Sequence, residues 1–295
     1  MDQPGLRDAI VRSFDDMSEQ LQSAARYVLD EPSDVALLSM REQARRAGVK
    51  PATMTRLAQA LGLSGYEEVK AAHARAVRDA GAGFASDAGA RFEAQKLKGD
   101  RAVAAEVATA IAGNVSKLAE PDSLERLVAA AERLAGASRV FCLGLRASHP
   151  AAWHLGYVLS LIGDGVVQLD APGGSGGDAL ARARAGDVLF VVSVHPYTRA
   201  AVQLAEIARA RGCAVVAVTD SPVAPLARLA DVAIFASTAS PSFFHVMSPC
   251  FAVAEILAAI VAGRRGEAAV EGLRGVDAHL AALDAHIVDG SRRAS

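Results

Sequence analysis

No apolar run in this 295-residue sequence reaches about 18 residues without a charge or a turn former, which argues against a membrane-spanning helix. The order of a secretory leader is missing from its first residues as well. Cysteine is scarce. Cys142, Cys213 and Cys250 lie far apart in apolar surroundings, a spacing that suits neither a zinc site nor a disulfide framework. The expectation is a soluble, cytoplasmic chain with no metal and no cofactor. An excess of one charge is lacking too: 31 Lys and Arg stand against 33 Asp and Glu, so any nucleic-acid contact must come from a local patch. No internal repeat is evident.

The sequence does hold enough apolar residues, 52%, to bury sizeable cores, and its length suits about two domains. Two textures divide it. Residues 6–80 alternate helix-period apolar positions with short turns. From Arg139 onward the runs "RVFCLG", "GVVQL", "DVLFVVSV", "CAVVAVT" and "DVAIFA" alternate with helical stretches, the signature of a parallel sheet with crossover helices. The expected class is α/β: an all-helical domain over residues 1–80, a linker and connecting helix over 81–120, a doubly wound domain over 121–265, and a C-terminal helix and tail over 266–295.

In "LSMREQARRAGV", Ser39 and Glu42 have the spacing of a capping box, so a helix is expected to start near Met40. Gly48 allows a tight turn, Val49 supplies an apolar plug, and Pro51 suits the first position of a second helix. Met54, Leu57, Ala58 and Leu61 then form one apolar stripe, leaving Thr53, Arg56, Gln59 and Ala60 outside. From Arg41 to Arg56 five basic residues face Glu42 alone. A helix–turn–helix reading DNA in the major groove fits this pattern. The expected DNA-binding set is Arg46, Lys50, Thr53, Thr55, Arg56 and Gln59, with Thr53, Arg56 and Gln59 facing bases and Lys50 and Arg46 facing phosphate. Lys50 stands where Ser or Asp would cap the helix, at a cost of roughly 0.3–1 kcal/mol that a phosphate would offset.

The stretch "LSMREQARRAGVKPATMTRLAQALGLSGYEEVK", preceded by "RYVLDEPSDVALL", resembles the N-terminal helix-turn-helix domain of the RpiR family of bacterial transcriptional regulators. Members join it to a SIS (sugar isomerase) domain that senses phosphorylated sugars, and residues 139–262 are similar to that domain. The resemblance implies operator DNA, a small anionic effector and a homodimer or tetramer as partners. Lys50 departs from the Ser usual after G-V.

The resemblance also places two ligand loops at strand ends. The first, "CLGLRASHPAAW", keeps Gly144 and Ser148 of the family's G-x-G-x-S pattern but has Arg146 in place of the second Gly. The second, "SVHPYT", keeps Ser193 and Thr198 of S-x-S-G-x-T, with His195 and Pro196 replacing Ser and Gly. Pro196 has no N–H to give an anion. His195 and Tyr197 add an imidazole and a phenol, and Ser221 follows the next strand. The expected ligand-binding set is therefore Arg146, Ser148, Ser193, His195, Tyr197, Thr198 and Ser221, for a sugar phosphate or a related sugar acid or carboxylate.

Three further readings complete the picture. "APGGSGGDAL" lacks the G-x-x-x-x-G-K-[ST] pattern of a phosphate loop and reads as a flexible connection. Phe243, Phe244 and His245 read as core or dimer packing. Val270, Leu273, Val276, Leu280 and Leu283 form a packing stripe on a last helix expected over 268–288. No catalytic residues are expected. The alternative function, a sugar-phosphate isomerase of the same fold, needs a base, for which Glu255, His195 and His245 are the candidates.

Overall fold

The computed structural model describes residues 3–31, 34–35, 38–80, 92, 95–170 and 172–285. The chain divides into two compact units: residues 1–112 with 221–228 and 239–246, and residues 113–220 with 229–238 and 247–295. Most of the expected linker, residues 81–91 and 93–94, lies outside the described residues.

The first unit opens with α1 (Gln3–Ser13), α2 (Glu19–Asp30), α3 (Met40–Arg46), α4 (Pro51–Ala60) and α5 (Tyr66–Ala80). Leu6, Ile10, Val28, Met54, Leu57 and Val69 are fully buried in its core. α3 starts where the Ser39 hydroxyl accepts the Glu42 N–H at 3.3 Å. Only this half of the capping box forms as expected, because the Glu42 carboxylate turns to Arg45 and Arg46. Gly48 takes φ 69°, the left-handed backbone the corner requires. Val49 N–H then closes on Ala44 carbonyl at 2.9 Å, and α4 begins with Pro51 in its first turn.

A polar side chain sits in the middle of this core. Gln43 is 0% exposed; its Nε2 donates to the carbonyls of Leu38 at 2.8 Å and Val35 at 3.0 Å, and its Oε1 accepts from the Tyr66 hydroxyl at 2.7 Å. Every polar atom of the amide is thereby satisfied, which is the condition for burying it. One side chain ties the segment before α3 to the start of α5. Further along α5, His73 is also buried, with Nδ1 2.9 Å from the Val69 carbonyl, and burial pushes its imidazole below the usual pKa.

The second unit carries α6 (Asp100–Ser116, shared with the first), α7 (Pro121–Ala135), α8 (His149–Leu161), α9 (Arg199–Ala210), α11 (Ser248–Arg265) and α12 (Glu267–Ala282), whereas the short α10 (Pro225–Leu229) belongs to the first unit but for its last residue. Its strands are β1 (Val140–Gly144), β2 (Val166–Gln168), β3 (Val188–Val192), β4 (Ala214–Thr219) and β5 (Val232–Phe235), all parallel in the order β2-β1-β3-β4-β5. Period-2 alternation assigns the faces. Cys142, Phe190, Val192, Val216 and Val218 pack with α7, α8 and α11. Phe141, Leu143, Leu189, Val191 and Val215, equally buried, take the opposite face, where α9 packs on β3 and β4. At the amino ends of the central strands, Asp187, its side chain 0% exposed, receives Arg139 Nη2 at 2.6 Å and Arg139 Nε at 3.2 Å.

Two sequence expectations change here. The glycine stretch is no loose connection: residues Pro172–Arg182 form a 3-10 segment. A methyl group on Gly176 would lie 2.4 Å from the Leu169 carbonyl oxygen, so glycine serves close backbone approach there. The last helix ends at Ala282, and residues 286–288 of the expected span lie outside the described residues. On it Val270 is 45% and Leu273 41% exposed.

Candidate functional site

The first candidate surface is the outer face of α4. With Met54, Leu57 and Ala58 at 0% exposure, Lys50, Arg56 and Gln59 are left exposed. Lys50 occupies the N-cap and makes no capping hydrogen bond. Thr53 corrects the expectation of a base-facing group: it is only 2% exposed, and its Oγ1 accepts from Arg56 Nη2 at 3.4 Å. α2, α3 and α5 all pack on α4, so its buried arc is wider than one stripe and takes in Thr53. Thr55 is half-buried, its hydroxyl set against the Met40 sulfur at 3.7 Å.

Arg46, expected to face phosphate, is engaged within the protein. Its Nη1 lies 2.7 Å from Asp34 and its Nε 3.1 Å from Glu42, while Arg45 Nε donates to Glu42 at 2.9 Å. Hydrogen bonds from Arg45 and then Arg46 hold the Glu42 carboxyl down to about 2. The basic excess read from the sequence is thus partly neutralised, and Lys50 and Arg41 are left without an ion pair among the described residues.

The second candidate is the carboxyl edge of the sheet. β1 and β3 are neighbours with Gly144 opposite Val192, so the two expected ligand loops leave the sheet side by side. Gly144 is required by close approach, since an added Cβ would lie 2.4 Å from the Ser148 carbonyl oxygen and 2.8 Å from Ala152 Cβ. Arg146 takes φ 55°, left-handed backbone that favours glycine, at a cost of roughly 1–2 kcal/mol for a residue with a Cβ. It is exposed, and among the described residues its guanidinium has no hydrogen-bond or ion-pair partner.

The hydroxyl residues of the two loops are mostly covered. Ser148 is 6% exposed and does not cap α8. Ser193 is 2% exposed, and its oxygen accepts the Thr198 N–H at 3.3 Å, closing the turn into α9 with Thr198 at the N-cap. Ser221 is 1% exposed, and its hydroxyl accepts the Val223 N–H at 3.3 Å. His195 is exposed and Tyr197 half-buried, their rings edge to face at 5.8 Å, and the His195–Pro196 peptide is cis. The sequence reading missed one pair at this edge: His149 Nε2 meets Asp170 at 2.8 Å. The two are 21 positions apart, and only the pairing of β1 with β2 brings them together.

Of the isomerase candidates, Glu255 is exposed along α11 rather than at a strand end, and His245 lies in the segment before that helix. Burial pushes the Cys142 and Cys250 thiols up to about 12, which keeps them protonated. Among the described residues no group of three His, Cys, Asp or Glu could hold a metal ion, and no helix is long and apolar enough to cross a membrane.

Comparison with known proteins agrees with both halves of this arrangement. Residues 5–78 match the helix-turn-helix domain of the rpiR family and residues 133–262 match the SIS domain. The solved sugar isomerase domain of an RpiR transcription factor from Sphaerobacter thermophilus is 31% identical, with 59% of this chain and 98% of that chain covered at a TM-score of 0.55. The chain belongs to the RpiR family. Two relatives are named as regulators: HexR, an HTH-type transcriptional regulator of Pseudomonas aeruginosa, is 25% identical over 78% of each chain. An uncharacterised HTH-type transcriptional regulator of Caldanaerobacter subterraneus is 26% identical over 74% of this chain and 75% of its own. The Vibrio vulnificus NanR protein, solved in complex with ManNAc-6P, shares the fold at 20% identity and a TM-score of 0.56, over 94% of this chain and 98% of that one. This RpiR chain is a transcriptional regulator carrying a SIS domain.

Proposed function

We propose that this RpiR protein is a cytoplasmic regulator that reads operator DNA with α4 and senses a small anionic metabolite, a sugar phosphate or related sugar acid, at the carboxyl edge of its sheet. Residues 1–80 serve as the DNA-binding domain and residues 121–265 as the sensor. The observation that carries the DNA reading is the exposed Lys50, Arg56 and Gln59 on a helix whose other face is fully buried. Arg56 and Gln59 face bases, where guanidinium and amide groups match guanine and adenine. Lys50 faces phosphate at the helix start. The ligand set is Arg146, His195, Tyr197 and Thr198, with Ser148 and Ser193 supporting the loops. A homodimer or tetramer doubles the contact on inverted half-sites, and exposed Val270 and Leu273 offer the second copy an apolar face.

The test begins with an operator selected from a random DNA library. Arg56→Ala is expected to cost about 1–3 kcal/mol and relax one operator position, whereas Lys50→Ala weakens all sequences alike and lowers the salt slope by about 1. Folded variants that both bind the operator like wild type defeat this assignment. Turnover of hexose phosphates by the purified protein would favour an isomerase instead.

A further inference from the structure

The basic residues between Arg41 and Arg56 are not in one electrostatic state. Arg41, Lys50 and Arg56 have no ion pair among the described residues, whereas Arg45 and Arg46 are both held by acids. Arg46 donates from Nη1 to Asp34 at 2.7 Å and from Nε to Glu42 at 3.1 Å, and Arg45 donates from Nε to the same Glu42 at 2.9 Å. Two carboxylates against two guanidiniums leave the cluster without net charge.

Helix stability explains only part of this arrangement. Glu42 with Arg45 and Arg46 makes the pairs at three and four positions that support a helix. Asp34 precedes α3 and lends it no such support. Its carboxylate is itself fixed, since it accepts the hydroxyl of buried Tyr27 on α2 at 3.2 Å. Each acid gives an arginine what a DNA phosphate would give it, charged oxygens that accept from a guanidinium. In a helix–turn–helix the first helix crosses the DNA backbone, and α3 is the first helix of this corner. Phosphates approaching α3 therefore meet guanidiniums already taken and carboxylates that repel them.

Resting on the reading of residues 1–80 as the DNA-binding domain, we propose that Asp34 and Glu42 are an internal competitor for the DNA backbone, holding Arg46 and Arg45 in place of phosphate. Base choice stays with α4. The acids set the share of affinity that is independent of sequence, and they keep it low, so that the regulator leaves DNA that is not its operator. The two arginines are a reserve of phosphate contacts that the free protein withholds.

The test is fluorescence anisotropy of the full chain with the selected operator and with a random duplex of equal length, over a salt series. The double variant Asp34→Asn, Glu42→Gln keeps side-chain size, and surface ion pairs of this kind contribute little to the fold. It is expected to bind both duplexes at least fivefold more tightly at low salt. Its plot of log affinity against log salt is expected to steepen by about 0.9 for each arginine released onto a phosphate. Adding Arg45→Gln and Arg46→Gln to that variant is expected to return the slope to the wild-type value. An unchanged affinity and slope in the folded double variant, or a steeper slope that survives loss of both arginines, would overturn the inference; the second outcome would reduce the acids to bulk charge. A lower melting temperature with unchanged DNA binding would make the network a staple of the fold and overturn it as well. Operator binding by wild type alongside such results leaves the DNA-binding domain and removes the competitor. Absence of DNA binding by wild type and every variant removes both.

Discussion

Replacing Gln43 with alanine removes three hydrogen bonds from a place water does not reach. The Val35 carbonyl and the Tyr66 hydroxyl lose partners inside the core, and the Leu38 carbonyl loses one at its margin. Each orphaned buried group costs about 1–3 kcal/mol and the marginal one about 0.5–1.5 kcal/mol, so Gln43→Ala is expected to cost roughly 2.5–7.5 kcal/mol. That is a large share of the about 5–15 kcal/mol typical of a folded domain. Tyr66→Phe removes only the bond to Gln43 Oε1 and is expected to cost about 1–2 kcal/mol, a fall in melting temperature of roughly 4–16 °C for a unit of this size. The chain supplies its own two reporters. Its one tryptophan, Trp153, lies on α8 of the sheet unit, 43% exposed and stacked on Tyr157, whereas far-ultraviolet circular dichroism sees all helices. In Gln43→Ala the helical signal is expected to melt early while tryptophan emission keeps its wild-type transition. An unchanged helical transition, or a tryptophan transition that moves as far, would refute the assignment of this clamp to the helical unit.

Acid separates two further groups. His73, with its pKa lowered by burial, is neutral in the folded state, so below about pH 6.5 the unfolded chain binds a proton the folded one refuses. Stability of the helical unit is therefore expected to fall as pH drops below about 6.5, and His73→Gln to flatten that slope in urea titrations followed by circular dichroism. Asp187 behaves as a depressed carboxylate. Burial opposes its ionisation, but the Arg139 hydrogen bonds, the Arg184 N–H and the charges of both arginines outweigh it. Its contribution is present above the unfolded value of about 3.9 and lost as pH falls through the lower folded value. Asp187→Asn is expected to cost about 3–5 kcal/mol, nearer the lower figure because the Arg139 side chain is 26% exposed, and tryptophan emission during urea unfolding at neutral pH checks it.

Signals local to a few residues were legible in the sequence. The five apolar runs became the five strands, because a strand buried on both faces needs unbroken β-branched and aliphatic residues whatever its partner is. Ser39, Gly48 and Pro51 marked the corner between α3 and α4, since caps and positive φ depend on the residue itself. The Met54, Leu57, Ala58 and Leu61 stripe was legible for the same reason. The width of the buried face was not. Thr53 passed for a base reader because period 3.6 gives the direction of burial, while the arc covered depends on how many helices pack around it, and three pack on α4. The burial of Gln43 left no signal in the sequence, since its partners lie 8 positions before and 23 after it. At the sheet edge the sequence determined which residue types follow each strand, including an arginine and a proline where the family pattern has glycines. Tertiary structure alone decided that Arg146 takes a left-handed backbone, that His149 meets Asp170, and that Ser193 spends its oxygen on Thr198. Hydrogen-bond partners are set by strand order and loop closure, and neither has a period that a sequence can display.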